Sequence, residues 1–349
     1  MKKSIGFIIV LFICLGPCFA QEYVPIDPRL TQKQDESLNQ QAEVMLNQAD
    51  EVLSSIPPQI PEPLERSLAL YLLDCIFRDV YAPQRLPVQE FIHKKIVDMG
   101  DQMDSTEVED GAFIWKLYSH SFVVRTKSVT IAFDLIRPSV RFDTFYTDNR
   151  AAIGRIIEQC DILFISHWHP DHADEWVARA FMEQGKPVIA PPDVWKDKPF
   201  YEKLSHLERD ADKRHILPVQ NGKQKLKTTI YPGHQGDYLN NVAVVYTPEG
   251  LCLSHNGDQN SGQAAEDTLW LFDIKSQHNI DVLMYNSYMS QTWIRGFDPD
   301  LVISAHENEL GHGIHSRHPF WKMHRRAESI PYPLLVMSWG EAFHYKPKN

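Results

Sequence analysis

Ser166–Asp174 reads SHWHPDHAD, and His167, His169, Asp171 and His172 fall within six positions of it. The run before it, Asp161–Ser166 (DILFIS), is short and apolar, as a buried strand is. The run after it, from about Asp174 (DEWVARAFMEQG), has helical spacing and stops at Gly185. The cluster is therefore predicted on a strand-to-helix loop, where a rigid scaffold presents chemistry. In a tight loop His167 and His169 can turn toward one point. Asp171 and His172 are adjacent, so they diverge from that pair toward a second point. Two such points about 3.5–4 Å apart are the layout of two-metal hydrolytic sites. Imidazole with carboxylate suits zinc first, with manganese or iron as alternatives. A His-rich surface loop is the competing reading, but nothing in a solvated loop calls for HxHxDH directly behind a buried strand.

The rest of the chain sets the context. Met1–Ala20 reads as an export signal, with Lys2 and Lys3 as its basic head and Cys18-Phe19-Ala20 as a cleavage site before Gln21. Its apolar run is short for a membrane span, so an exported, periplasmic or secreted chain without stable membrane insertion is expected. Ile13 and Pro17 precede the two cysteines of that segment, which argues against lipidation. Loss of the segment removes two lysines and no acid, taking the formal charge from −11 to −13. Such acidity disfavours nucleic acid and anionic membranes as non-specific partners. Cys75, Cys160 and Cys252 remain, an odd and widely spaced set that reads as ordinary buried thiols, with one pairing left open. A hydrophobic content of 43% fits a globular protein of one large domain, or one domain with an attachment.

Gln21–Leu38 reads as polar and extended, and Asn39–Ser55, Leu64–Val80 and Val88–Met99 as helices. Residues 21–110 thus form an extended and helical segment ahead of a main domain at 111–349, either packed on its outside or covering its site. Ala112–Arg125 and Ser128–Leu135 read as two strands, and Asn149–Glu158 as a helix. Short strand-like runs follow at Pro187–Ala190, Ile216–Val219, Lys225–Tyr231, Asn241–Tyr246, Leu251–His255, Asp281–Tyr285 and Leu301–Ala305, with a helix over Asp267–Gln277 and strand texture from Pro333 to Tyr345. Strands and helices alternate in two halves, which predicts a layered α/β domain. Three candidate ligands stand just past strand-like runs: His234, Asp258 (behind Gly257) and His306.

Taken in order, HxHxDH, a lone histidine, a Gly-Asp turn and a strand-ending histidine resemble the metallo-β-lactamase-fold superfamily over about Ile114–Tyr345. Asn241–Gln259 looks like the strand-turn-strand that carries the family's bridging aspartate. Tyr118–Leu135 resembles the subgroup containing ascorbate-phosphate lactonase and N-acyl-phosphatidylethanolamine phospholipase D. The resemblance implies an αββα four-layer sandwich, preceded here by the helical segment, with two divalent metal ions at one edge between the sheets. One ion would take His167, His169 and His234; the other would take Asp171, His172 and His306; Asp258 would bridge them. Asp134 would be the family's structural aspartate, and His120 would lie near the site without binding metal. Asn308–His318 (NELGHGIHSRH) has the look of a zinc-peptidase helix, but Asn308 stands at the first ligand position and Gly311 and Gly313 weaken a helix.

The expected activity is that of a binuclear hydrolase, with a metal-bridging hydroxide attacking an ester, lactone or phosphodiester of a small-molecule or lipid-derived substrate. Asp171 is the candidate for orienting or deprotonating the water, and His120 and His312 for protonating the leaving group. A β-lactamase, a diiron-type oxidoreductase and a non-catalytic binding module on the same fold are the alternatives.

Overall fold

Alternation along the central strands decides the architecture. In the computed structural model, which describes residues 28–138, 148–259, 266–288 and 290–347, the helical segment comes first: α1 (Pro28–Ser55), α2 (Leu64–Phe77) and α3 (Leu86–Ser105). Then come β1 (Ala112–Lys116), β2 (Phe122–Arg125), β3 (Thr130–Phe133), α4 (Arg150–Gln159), β4 (Ile162–Phe164), α5 (Glu175–Glu183) and β5 (Val188–Ile189). The second half holds β6 (His215–Val219), β7 (Gln224–Gln235), β8 (Tyr238–Tyr246), β9 (Cys252–His255), α6 (Asp267–Leu271), α7 (Ile274–Gln277), β10 (Val282–Asn286), α8 (Gln291–Phe297), β11 (Leu301–Ala305), α9 (Phe320–Ala327), β12 (Leu334–Val336) and β13 (Glu341–Tyr345).

The strands form a six-stranded sheet, β13-β1-β2-β3-β4-β5, and a seven-stranded sheet, β12-β11-β10-β9-β8-β7-β6. Successive side chains of a strand face opposite ways. Ile114, Val124, Ile131, Ile162 and Ile189 of the first sheet therefore meet Ile230, Val245, Leu253, Met284 and Ile303 of the second in one apolar core. Their neighbours Trp115, Val123, Ala132, Leu163, Val188, Val244, Leu283 and Val302 share the other core with residues of the helices. Two sheets face to face, with helices on their outer faces, make the four-layer αββα sandwich expected from the sequence.

The chain divides into two compact units, Met1–Leu38 and Asn39–Asn349. The first is described only from Pro28, where it is already helical, so the expected extension over Gln21–Leu38 gives way to the start of α1. The export-signal reading of Met1–Ala20 lies outside the described residues. No helix among the described residues is long and apolar enough to cross a membrane. Within the second unit, α2 is fixed to the sandwich by Arg66, a fully buried cation that bonds both carboxylate oxygens of Glu341 (2.6 and 2.5 Å) and the Val336 carbonyl.

Two further expectations are corrected. Ala112–Arg125 is not one strand but a hairpin, because the Leu117 N–H bonds Ser121 O (2.8 Å) and Ser119 adopts a left-handed conformation at φ 57°. Cys75 is exposed, whereas Cys160 and Cys252 are buried, and all three thiols are free. The Asn308–His318 stretch is a loop with one short 3₁₀ turn at Ile314–Ser316, which removes the peptidase-helix geometry.

Candidate metal centre

The HxHxDH loop follows β4, whose neighbours β3 and β5 run parallel to it. In the other sheet β9, β10, β11 and β12 are also mutually parallel, so the loops after β9, β10 and β11 leave from one edge. Carboxyl ends of parallel strands are where α/β folds gather ligands. Two bonds draw the loops together there. The Asn241 N–H donates to Ser166 O (2.7 Å), and the His306 N–H to Ser119 O (3.0 Å). Inside the loop, the N–H groups of His172 and Ala173 both bond His169 O, folding it into a single turn. Asp174 then caps α5, accepting from Trp176 N (2.9 Å) and Val177 N, while Arg137 pairs with it at 2.7 Å.

Six of the seven expected ligands fall into two groups that share one member. Asp171, His172, Asp258 and His306 form one group, and His167, His169 and Asp258 the other. Asp258 Oδ1 lies 3.1 Å from His172 Nε2 and 3.5 Å from His306 Nε2, and Asp258 Oδ2 lies 3.7 Å from His167 Nε2. One carboxylate oxygen thus faces each group. Asp171 Oδ2 is 3.1 Å from His306 Nε2 and 3.6 Å from His172 Nε2. The position of Asp258 depends on Gly257, whose φ of 53° is a left-handed value and whose absent Cβ leaves room for Asn240 and Ser166.

Burial and mutual charge dominate the electrostatics of the cluster. His167 Nε2, Asp171 Oδ2, His172 Nε2 and His306 Nε2 are buried without a hydrogen-bonding partner. Buried polar atoms are seldom left so, because each costs about 1–3 kcal/mol. Burial disfavours a charge on Asp258, yet His172 and His306 hold its carboxyl well below the usual range. Burial likewise opposes a charge on His172, but Asp258, Asp171 and Asp134 outweigh it and push the imidazole up to about 10. Burial, with His172 adding, takes His167 down to about 3. Imidazoles and carboxylates that borrow protons from one another in this way are a donor set suited to zinc, manganese or iron. The residues present therefore fit divalent cations.

Asp134 takes the structural place expected of it. Fully buried, at φ 44°, it accepts from Ser166 N (2.7 Å), Ser166 Oγ (2.6 Å) and His172 Nδ1 (2.6 Å). His234 is not in either group. It lies within β7, which continues to Gln235 instead of ending before it, and its Nδ1 pairs with the buried Asp267 at 2.9 Å. That contact occupies one ring nitrogen and leaves the other for a ligand.

The two candidate acids differ in position. His312 lines a cavity of about 420 Å³ together with Asp258, His306, Gln235, Asn286 and Tyr288. Its Nε2 is 3.8 Å from Asp171 Oδ2, and its Nδ1 is 3.7 Å from the buried Glu309. His120 is fully buried behind the cluster, its ring tilted by 34° against His255 at 4.1 Å, with neither ring nitrogen hydrogen-bonded. It is not among the residues lining the cavity, so as it stands it touches no substrate there. A larger hollow of about 720 Å³ beside Lys186 and Gln220 contains none of these residues.

Sequence reasoning missed the residues that aim Asp258. Gln235 Nε2 donates to its Oδ2 at 3.0 Å, Asn286 Nδ2 donates to its Oδ1, and Asn240 Oδ1 accepts from its N–H at 3.0 Å. Asn286 closes β10 at the same edge as His306 closes β11, and that shared strand-end position was the available signal.

The arrangement is that of the metallo-β-lactamase fold. No family model matches the chain, and no curated protein matches it either. Among solved structures it is similar to Igni18, a metallo hydrolase of the hyperthermophilic archaeon Ignicoccus hospitalis, at 16% identity and a TM-score of 0.52 over 68% of this chain and 99% of that one. It is also similar to a diiron β-hydroxylase from Streptomyces venezuelae (12% identity, TM-score 0.48, 69% of this chain and 55% of that one). A protein of the metallo-β-lactamase superfamily from Thermotoga maritima aligns at 15% identity and a TM-score of 0.30, over 56% of this chain and 76% of that one. At 16% identity the likeness to Igni18 shows a common fold and nothing finer.

Proposed function

We propose that the protein is a metal-dependent hydrolase whose site holds two divalent cations and cleaves an ester, lactone or phosphodiester bond. The carrying observation is the shared Asp258 carboxylate, with one oxygen toward each group of ligand atoms. His167, His169 and His234 would hold one ion and Asp171, His172 and His306 the other, with zinc the first choice for this donor set. Bound there, the ions would supply Lewis acidity at the scissile bond and acidify a water.

The chain's own residues do the rest. Asp134 fixes the His172 ring through Nδ1, and Gln235 and Asn286 orient Asp258. His312, on the cavity wall, is the side chain placed to pass a proton to a leaving group. The resemblance of Tyr118–Leu135 to lactonase and phospholipase sequences favours a small-molecule or lipid-derived substrate. The test is metal content per chain, beside hydrolysis of a lactone, phosphodiester and β-lactam panel, for the wild type and Asp258→Ala. Two ions per chain are expected, with loss of metal and of hydrolysis in the variant. A chain that takes up no zinc, manganese or iron would overturn the reading.

A further inference from the structure

In a chain of net charge −11, Arg66, Lys95, Lys116 and Arg137 are buried or half-buried cations paired with carboxylates. A group at the α9 side of the cavity is not. Lys322 and Arg326, one helical turn apart on α9, and Arg78, just past α2, have no carboxylate within ion-pairing distance among the described residues. Each holds a neutral acceptor instead. Lys322 Nζ lies 2.7 Å from His318 Nε2, Arg326 Nη1 donates to Ser287 O, and Arg78 Nη1 donates to Arg317 O at 2.9 Å. The three are close enough to act on one another: burial first, then Arg326 and Arg78, depress the Lys322 ammonium.

None of the three lines the cavity itself, and the group is joined to its wall through His318 and Ser287. The His318 ring lies flat on Tyr288, with centroids 3.6 Å apart and planes at 19°. Tyr288 lines the cavity and stands edge-on to His306 at 5.1 Å. Ser287, which holds Arg326, is the residue before Tyr288. Lys322 therefore touches one ring of a stacked pair whose other ring forms the cavity wall. His318, pushed down to about 3 by burial, Lys322 and Arg326, stays neutral and uses its lone pair to pin the ammonium. Two of the three ammonium hydrogens remain for a ligand.

Like charges gathered without counter-ions repel one another, and an anion that lies among them relieves that cost. Two guanidinium forks and an ammonium match a group with two charges and three oxygens better than a planar monoanion. We propose that Lys322, Arg326 and Arg78 form an anion-binding ledge that takes a phosphate group of the substrate at the rim of the cavity. The ledge itself stands on this geometry, while its role in substrate choice rests on the cavity being the reaction site.

Inorganic phosphate is the probe, titrated calorimetrically into the metal-loaded full chain, into the double variant Lys322→Gln/Arg326→Gln, and into Asp258→Ala. Lys225→Gln/Lys227→Gln, exposed positions on β7, serves as the charge-matched control. Saturable phosphate binding is expected in the wild type, in Asp258→Ala and in the control. In Lys322→Gln/Arg326→Gln it is expected to weaken on the order of tenfold or more. Phosphate bound equally well by that variant would overturn the ledge, as would no binding by the wild type. Binding lost only in Asp258→Ala would assign phosphate to the metal site and overturn the ledge while leaving the proposed function standing. Conversely, hydrolysis retained in Asp258→Ala would defeat the proposed function and leave the ledge intact. Phosphatidylcholine vesicles doped with phosphatidic acid separate the sources. Vesicle binding lost in Lys322→Gln/Arg326→Gln assigns a lipid headgroup, and phosphate binding without vesicle binding assigns a soluble phosphate ester.

Discussion

Replacing Asp134 with asparagine tests whether the carboxylate behind His172 selects the nitrogen offered to the cation. Asp134 Oδ1 accepts from Ser166 N, and its Oδ2 accepts from both Ser166 Oγ and His172 Nδ1. With the Nδ1 proton held there, the metal-binding form of His172 keeps its lone pair on Nε2, toward Asp171 and Asp258. Asparagine keeps the shape but puts an amide NH₂ where one of those oxygens was. If it replaces Oδ2, His172 can accept from it only by moving its proton to Nε2, which withdraws the ligand lone pair. Losing a charge-assisted bond costs about 1.5–3 kcal/mol. Losing such a support lowers metal affinity by about 10- to 100-fold, which is about 1.4–2.7 kcal/mol. Chelator competition should find the ion on the His172 side weakened by about 10- to 100-fold, and the other little changed. The metal-free chain supplies a second readout. There the folded His172 value, about 10, is above the unfolded 6.5, so its stabilisation is full below pH 6.5 and is lost as pH rises toward 10. Urea unfolding of Asp134→Asn should show a shallower loss over that window. Both ions binding as in the wild type, or both weakened equally, would refute the reasoning.

Three further outcomes follow from the same geometry. Burial, opposed by bonds from Asn308, Trp321 and Phe320, raises Asp74 to about 6, so the folded chain holds that proton more tightly than the unfolded chain at 3.8. Its stabilisation is full below pH 3.8 and lost as pH rises through 6, about 3 kcal/mol in all; Asp74→Ala should flatten that slope in urea midpoints, and a persisting slope refutes it. Gly257→Ala places a Cβ against Asn240 and Ser166 at a left-handed φ, which should cost about 2–5 kcal/mol and lower bound metal; an unchanged melting temperature and metal content would refute the assignment of that turn. Lys116→Met strands the fully buried Glu307 and should cost about 3–5 kcal/mol by denaturant titration, with part recovered when Glu307→Gln is added; no recovery would mean that the pair is not the cause.

The parts of the site legible in the sequence were those written in contiguous residues. HxHxDH between an apolar run and an amphipathic run needs no tertiary knowledge, because strand, loop and helix each carry a local signature. Asp258 and His306 were legible for a related reason: Gly257 marks a forced turn, and LVISA ends in a residue that the strand must deliver to an edge. Residues that act across the fold left no such mark. Asn286, Gln235 and Asp267 are polar residues at strand or helix ends, and only the pairing of β10 with β11 and of β7 with β8 makes them neighbours of Asp258 and His234. The hairpin at Tyr118–Ser121 was missed because its turn relies on a left-handed serine, not on glycine or proline, so the apolar texture runs through it unbroken. The start of α1 was missed because a polar, charged stretch carries little apolar periodicity.

The place of α2 beside the sandwich has a consequence for the metal site. His306 and Asn308 both adopt left-handed backbone, at φ 69° and 52°, which non-glycine residues hold only when their surroundings enforce it. Part of that enforcement comes from α2. Asp74 accepts from Asn308 Nδ2 (2.7 Å), Phe320 N (2.8 Å) and Trp321 N (3.0 Å), so one carboxylate grips the loop near its ligand and also caps α9. Arg317 spans the same gap, donating to Phe77 O and Asp79 O on one side and to Leu310 O and His312 O on the other. No residue of α2 or α3 is among those lining the cavity. Asp74 and Arg317 thus make α2 a bracket behind the loop that carries His306 and His312. The His167–His169 side is held by its own turn, by the cap on α5, and by Asn241 and Asp134 on Ser166. The two halves of the site thus rest on different supports, and disturbance of the helical segment reaches the His306 half first.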